Sequence, residues 1–109
     1  MKKKPSLPKT IRIGPHDVTI CIRKEEEDRN FGTWDENQML IRIDRDFHSV
    51  YRAIEVVLHE IDHAIRDIYV VKEKDAEERQ TTTMARGWTQ VWRDNPNLLR
   101  WLMHCLHGK

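Results

Sequence analysis

At 109 residues, with 19 Lys and Arg against 18 Asp and Glu, the chain suits one domain with a single two-layer core and is too short for a second. A net charge of +1 argues against a nucleic-acid footprint or an acidic tail. No apolar run approaches the roughly 20 residues a membrane-spanning helix needs, and Pro5, Pro8 and Lys9 follow the basic start where an export signal would be apolar. A cytoplasmic chain without membrane or nucleic-acid partners is expected. Cys21 and Cys105 show no C-x-x-C spacing, so free thiols are expected.

In chain order, residues 1–9 read as a flexible basic arm and residues 10–109 as one domain. Ile11 and Ile13 fit a short strand before the Gly14-Pro15 break. Val18, Ile20 and Ile22 alternate with Thr19, Cys21 and Arg23, the period-2 pattern of a half-buried strand. The run from Lys24 to Arg29 is too charged to bury and reads as a solvated loop. Asn30, Phe31 and Gly32 then turn the chain. Met39, Ile41 and Ile43 alternate with Leu40 and Arg42 and predict a further strand.

A helix follows, capped by Asp46 or Ser49 and running to about Val70. Val50, Ile54, Val57, Leu58, Ile61, Ile65 and Ile68 form its apolar stripe. His59 and His63 fall nearly opposite that stripe, near Arg52 and Val56, so their face is expected to meet another element, the next helix. That helix spans about Asp75 to Asp94, with Met84, Ala85, Trp88, Val91 and Trp92 on one face and Glu77 and Glu78 in its first turn. Acidic residues there complement the helix dipole. Asn95 reads as the cap and Pro96 as the first residue of a short last helix carrying Leu98, Leu99, Trp101, Leu102 and Leu106, stopped by Gly108. The four tryptophans read as core and pocket wall, since no basic groove accompanies them.

The chemistry concentrates in His59-Glu60-Ile61-Asp62-His63. Imidazoles four residues apart on a helix stand one turn above each other and can bind one metal ion. The Glu after the first His is placed to take a proton from a water on that metal, the H-E-x-x-H arrangement of metal-dependent peptide hydrolysis. A zinc site that keeps a water usually has three protein ligands. Either Glu77 or Glu78 is a candidate for the third: Glu77 lies nearer the centre of the apolar face, Glu78 at its margin.

The motif helix, the Glu77-Glu78 helix and the Arg93-Asp94-Asn95-Pro96 junction together resemble the small zincin-type metallopeptidase domains of bacteriophages and bacteria. They are similar to minimal gluzincins and, more distantly, to immunity-type metallopeptidases that regulate mobile elements. The resemblance covers roughly residues 31 to 102. It implies an α+β minimal zincin fold: a small N-terminal antiparallel or mixed sheet on the H-E-x-x-H helix, then a second metal-ligand helix and a short C-terminal helix. It also implies one Zn2+ held by His59, His63 and Glu78, with Glu77 as the alternate, and Glu60 as general base. Arg66 and Tyr69 stand where a metzincin would continue with Gly and His, and Cys21 sits in Ile-Cys-Ile, unlike a deformylase ligand segment.

The expected activity is hydrolysis of a peptide or protein substrate, with Glu60 deprotonating a zinc-bound water and passing the proton to the leaving amine. The strand Met39–Ile43 is expected at the sheet edge, where it would pair with an extended substrate. Tyr69, Arg66, His104 and His107 are candidates to polarise the oxyanion. A reading from another class makes the chain a non-catalytic or regulatory zinc-containing protein-binding module.

Overall fold

The computed structural model describes residues 5–23, 31–44 and 49–108. Four strands, β1 (Thr10–Ile13), β2 (His16–Arg23), β3 (Gly32–Asp35) and β4 (Leu40–Asp44), precede three helices, α1 (Val50–Ile68), α2 (Glu77–Asp94) and α3 (Pro96–His107). The architecture is the expected α+β layout with a mixed sheet. Among the described residues, no helix is long and apolar enough to cross a membrane.

The sheet order is β1-β2-β4-β3. β1 and β2 form an antiparallel hairpin through Gly14-Pro15, pairing Ile13 with His16 and Ile11 with Val18. β4 lies parallel to β2, Ile20 opposite Ile41, and β3 lies antiparallel to β4, Trp34 opposite Ile41. Ile11, Ile13, Val18, Ile20, Ile41 and Ile43 are all buried and share one pleat face. Against it α1 places Ile54, Val57, Ile61, Ala64 and Ile65, while Val91, Leu98 and Trp101 complete the core. Burying such a side chain stabilises by about 1.5–3 kcal/mol, so this one cluster dominates the fold.

Two strand assignments differ from the pattern-based reading. Gly32 does not turn the chain but begins β3, because the strand is held by its ladder to β4 and by close contact with α1, neither of which a period-2 search detects. Consequently β4 is interior, between β2 and β3, and the edge strand expected at Met39–Ile43 is β3. The turn between them is fastened by Asp35, whose Oδ1 accepts from the Asn37 and Gln38 amides at 3.0 and 3.2 Å, an Asx turn. Met39 lies in that turn with φ 49°.

The expected loop from Lys24 to Arg29 and the alternative cap Asp46 lie outside the described residues, as do residues 1–4 of the arm. The rest of the arm joins the domain: Leu7 packs on the core and the Lys9 carbonyl accepts from the Ile20 amide at 2.8 Å. Ser49 caps α1, accepting from the Arg52 amide at 3.1 Å. The helix ends at Ile68, two residues short of Val70, which adopts φ 57°.

α2 grips α1 and β1. At Gly87 an added Cβ would collide with Ile65 Cγ2, so the two helices meet closely there. Asn95 occupies the position before Pro96, yet its side chain makes no cap bond. Its Oδ1 accepts from the Arg12 amide at 2.7 Å, while Nδ2 donates to the Arg12 and Val91 carbonyls, each at 2.8 Å. Gln90 adds a bond from the Gly14 amide at 2.7 Å and one to the Arg12 carbonyl at 3.0 Å. At the far end of the sheet Arg23 and Asp44, side chains 11 % and 3 % exposed, pair at 2.6 Å, which compensates the cost of burying either charge alone.

Candidate metal centre

His59, Glu60 and His63 project from the middle of α1, and their ligand atoms all lie within 4.8 Å of one another. Among the described residues this is the only such group of three or more His, Cys, Asp or Glu side chains. The Nε2 atoms of His59 and His63 are 3.1 Å apart, with ring centroids at 4.7 Å and planes 81° apart. Two imidazole nitrogens on one tetrahedral zinc, each about 2.0–2.1 Å from the metal, stand roughly 3.3 Å apart. The separation of the two nitrogens therefore suits a shared divalent cation.

Glu60 sits differently from its neighbours. Both histidines are exposed, whereas Glu60 is 6 % exposed. What covers it is β3: a Cβ on Gly32 would stand 2.9 Å from Val56 Cγ1 and 3.0 Å from Glu60 Cγ, so only glycine lets the strand lie this close. Burial raises the Glu60 pKa above the ordinary carboxylate value, and His59, His63 and Arg23 oppose that rise. A carboxyl held between these influences is suited to accept and return a proton.

The histidine face is bordered by β3 and not, as the helical wheel suggested, by α2. A hollow of ≈ 350 Å³ is lined by Gly32, Thr33 and Trp34 on one side and by His59, Glu60 and His63 on the other. Trp34 is fixed there because its Nε1 donates to Asp67 Oδ2, one turn beyond His63, at 2.5 Å. α2 meets the adjoining side of α1, where Trp88 Nε1 donates to Asp62 Oδ1 at 3.2 Å and Tyr69 Oη donates to Gln90 Oε1 at 3.0 Å. Trp88 stacks on Trp92 with centroids 5.8 Å apart, and Trp101 is buried.

The structure brings His59, Glu60 and His63 together and leaves Glu77 and Glu78 outside that group, exposed in the first turn of α2. Of the oxyanion candidates, none lines the hollow beside the histidines. Tyr69 is engaged by Gln90, and Arg66 pairs with Asp62 at 2.9 Å. Sequence reasoning missed the roles of Gly32 and Asp67, and placed Trp34 only among the tryptophans of core and pocket wall, where it does line the hollow. A glycine followed two residues later by an aromatic, ahead of a strand, was the only available signal, and by itself it means little.

No family model, curated protein or solved structure matches this chain.

Proposed function

We propose that this chain is a zinc-dependent metallopeptidase. The observation that carries the reading is the conjunction at one point of α1: two imidazole nitrogens 3.1 Å apart, and next to them a carboxyl 6 % exposed. A merely solvated polar helix face has no reason to bury the middle member of such a trio. His59 and His63 would hold the ion, and Glu78, or its alternate Glu77, is the proposed third protein ligand, although both stand outside the trio in this structure. Zinc there would supply Lewis acidity, lowering the pKa of a bound water towards about 7.

The remaining steps belong to the chain. Glu60 takes the proton as the water attacks the peptide carbonyl and delivers it to the departing amine. β3, the edge strand beside the histidines, would align an extended peptide by main-chain hydrogen bonding, the role that the sequence pattern assigns to Met39–Ile43. Cytoplasmic peptides or proteins, in the bacterial host if the chain is phage-encoded, would be the substrates.

The position of Glu77 and Glu78 favours a second reading, a regulatory module that keeps its metal without turnover, because the grouped donors all come from one helix. One experiment addresses both. Protein purified without added metal is assayed for zinc by mass spectrometry and for cleavage of a peptide library, alongside His59→Ala/His63→Ala, Glu78→Gln and Glu60→Gln. The peptidase reading expects about one zinc per chain, none in the double mutant, at least roughly tenfold weaker zinc in Glu78→Gln, and Glu60→Gln loaded but inactive. Zinc without cleavage in the wild type would leave the module. A folded chain without zinc would end both.

A further inference from the structure

Asp67 is the penultimate residue of α1. A negative charge in the last turn of a helix is unfavourable, because the carbonyl ends there are themselves negative. The carboxylate is nonetheless held in place: Oδ2 accepts from Trp34 Nε1 at 2.5 Å, and Trp34 faces the histidines across the hollow that they line together. Oδ1 has no hydrogen-bond partner among the described residues. His59, His63 and Asp67 follow one another at intervals of four residues, so they stand one turn apart on the same face of α1. Helical side chains lean toward the N-terminus, which carries the Asp67 carboxylate over the turn that bears His63. The same spacing on this helix already joins Arg66 to Asp62 at 2.9 Å.

His63 turns its Nε2 to His59, 3.1 Å away, and its Nδ1 has no hydrogen-bond partner among the described residues. A ring nitrogen and a carboxylate oxygen one turn apart are thus both unengaged. Ligation decides what the nitrogen needs. A neutral imidazole carries one proton, and a ring that ligates through Nε2 keeps it on Nδ1. An N–H fixed in that way is usually received by a carboxylate, a main-chain carbonyl or water, and a carboxylate there makes the ligating nitrogen more basic. Asp62, the aspartate next to His63 in the chain, is already taken up by Trp88 and Arg66 on the adjoining side of α1.

We propose that Asp67 is a positioning residue for the metal centre: it accepts the Nδ1–H of His63 when Nε2 is the ligand, and Trp34 holds the carboxylate in place to do so. This role rests on the zinc reading and not on peptide cleavage.

The test compares the full chain with Asp67→Asn. The amide keeps a carbonyl oxygen to receive Trp34 Nε1, whereas its other end is a donor and cannot accept from His63. Removing a charge from the last turn also favours the helix, so the variant is expected to fold. Asp62→Asn removes an equal charge on the adjoining side of α1 and serves as the control. Zinc affinity is measured by competition with a chromophoric chelator, and the His63 Nδ1–H is followed by NMR of the zinc-loaded protein carrying ¹⁵N-labelled histidine. The expected result is zinc binding about tenfold weaker in Asp67→Asn and little changed in Asp62→Asn. The His63 Nδ1–H proton should resonate downfield in the wild type and move upfield in Asp67→Asn. Trp34→Phe, which frees the carboxylate without removing it, should fall between the two aspartate variants in affinity. Equal zinc affinity in wild type and Asp67→Asn, or a weakening that Asp62→Asn matches, overturns the proposal and leaves the metal reading standing. A folded wild type that binds no zinc overturns both.

Discussion

Strands β1 and β3 have four residues each and stand at opposite edges of one sheet, yet their outward sides are treated in opposite ways. At β1, the main chain of Arg12 is closed by a side-chain amide: Asn95 takes its N–H and gives to its carbonyl, much as a neighbouring strand would, and Gln90 extends the clasp to Gly14. At β3 no further strand is paired among the described residues; Val56, Glu60 and Asp67 of α1 contact it, and it shares a hollow with both histidines. An exposed edge is a liability for aggregation, which proteins usually cover. Here one edge is covered by α2 and the other borders the candidate metal centre, and it is this asymmetry on which the proposed peptide docking along β3 depends.

The largest effect should come from breaking the closed edge. Asn95→Leu removes the side-chain partner of the Arg12 amide and the Asn95 bond to the Val91 carbonyl, and leaves the Arg12 carbonyl with Gln90 alone. It is expected to cost about 3 kcal/mol, lowering the unfolding midpoint in calorimetry by roughly 10–20 °C. A shift of a few degrees would show that water replaces the clasp at little cost.

Next in size is Gly32→Ala, which drives a methyl against Val56, Glu60 and the Arg42 carbonyl. Urea denaturation should show a loss of about 1–3 kcal/mol. Zinc content should persist, while peptide cleavage falls at least roughly tenfold, because the strand shifts relative to Glu60. Equal rates in both proteins would mean that the fit of β3 on α1 plays no part in the chemistry.

Trp34→Phe keeps a ring in the groove but removes the donor to Asp67. We expect about 0.5–1 kcal/mol of lost stability and faster hydrogen exchange at the β3 amides, with those of β1 unchanged. Faster exchange at both edges would deny that the two are stabilised independently.

The smallest effect concerns pH at the closed edge. Hydrogen bonds from Arg93 and Gln90 hold the Asp94 carboxyl down at about 2, from an ordinary 3.8. Because the folded value is the lower one, the stability it contributes is fully present above the unfolded value and fades as pH falls from about 4 towards 2. Asp94→Asn should flatten the acid limb of the stability profile slightly in that window and leave pH 7 to 8 without pH dependence from this site. An unchanged acid limb would show that exposure to solvent screens the group too well to matter.

Much of this was readable in the residues. The alternation through Val18, Ile20 and Ile41, Ile43, the capping Ser49, Pro96 at a helix start and Gly108 at a helix end each follow from local chemistry, and each appears where its pattern placed it. So does the convergence of His59 and His63, since four residues on any α-helix superpose two side chains. β3 was not readable, because Gly-Thr-Trp-Asp has no alternation of its own and becomes a strand only through β4 and α1. Asn95 stands at the cap position its pattern gave, but what its side chain binds was not readable for a related reason: its partner Arg12 lies 83 residues away.

By itself, then, the sequence determined the helices, the two long-patterned strands and the presentation of two imidazoles and a carboxyl on one turn, all of which depend on interactions spanning a few residues. Only the tertiary structure decided which strand is the edge, that Glu60 is buried while its flanking histidines are exposed, and that Glu77 and Glu78 stand outside the trio. Those outcomes depend on pairing order and on how closely two backbones can approach, and closeness at Gly32 is a property of β3 and α1 together.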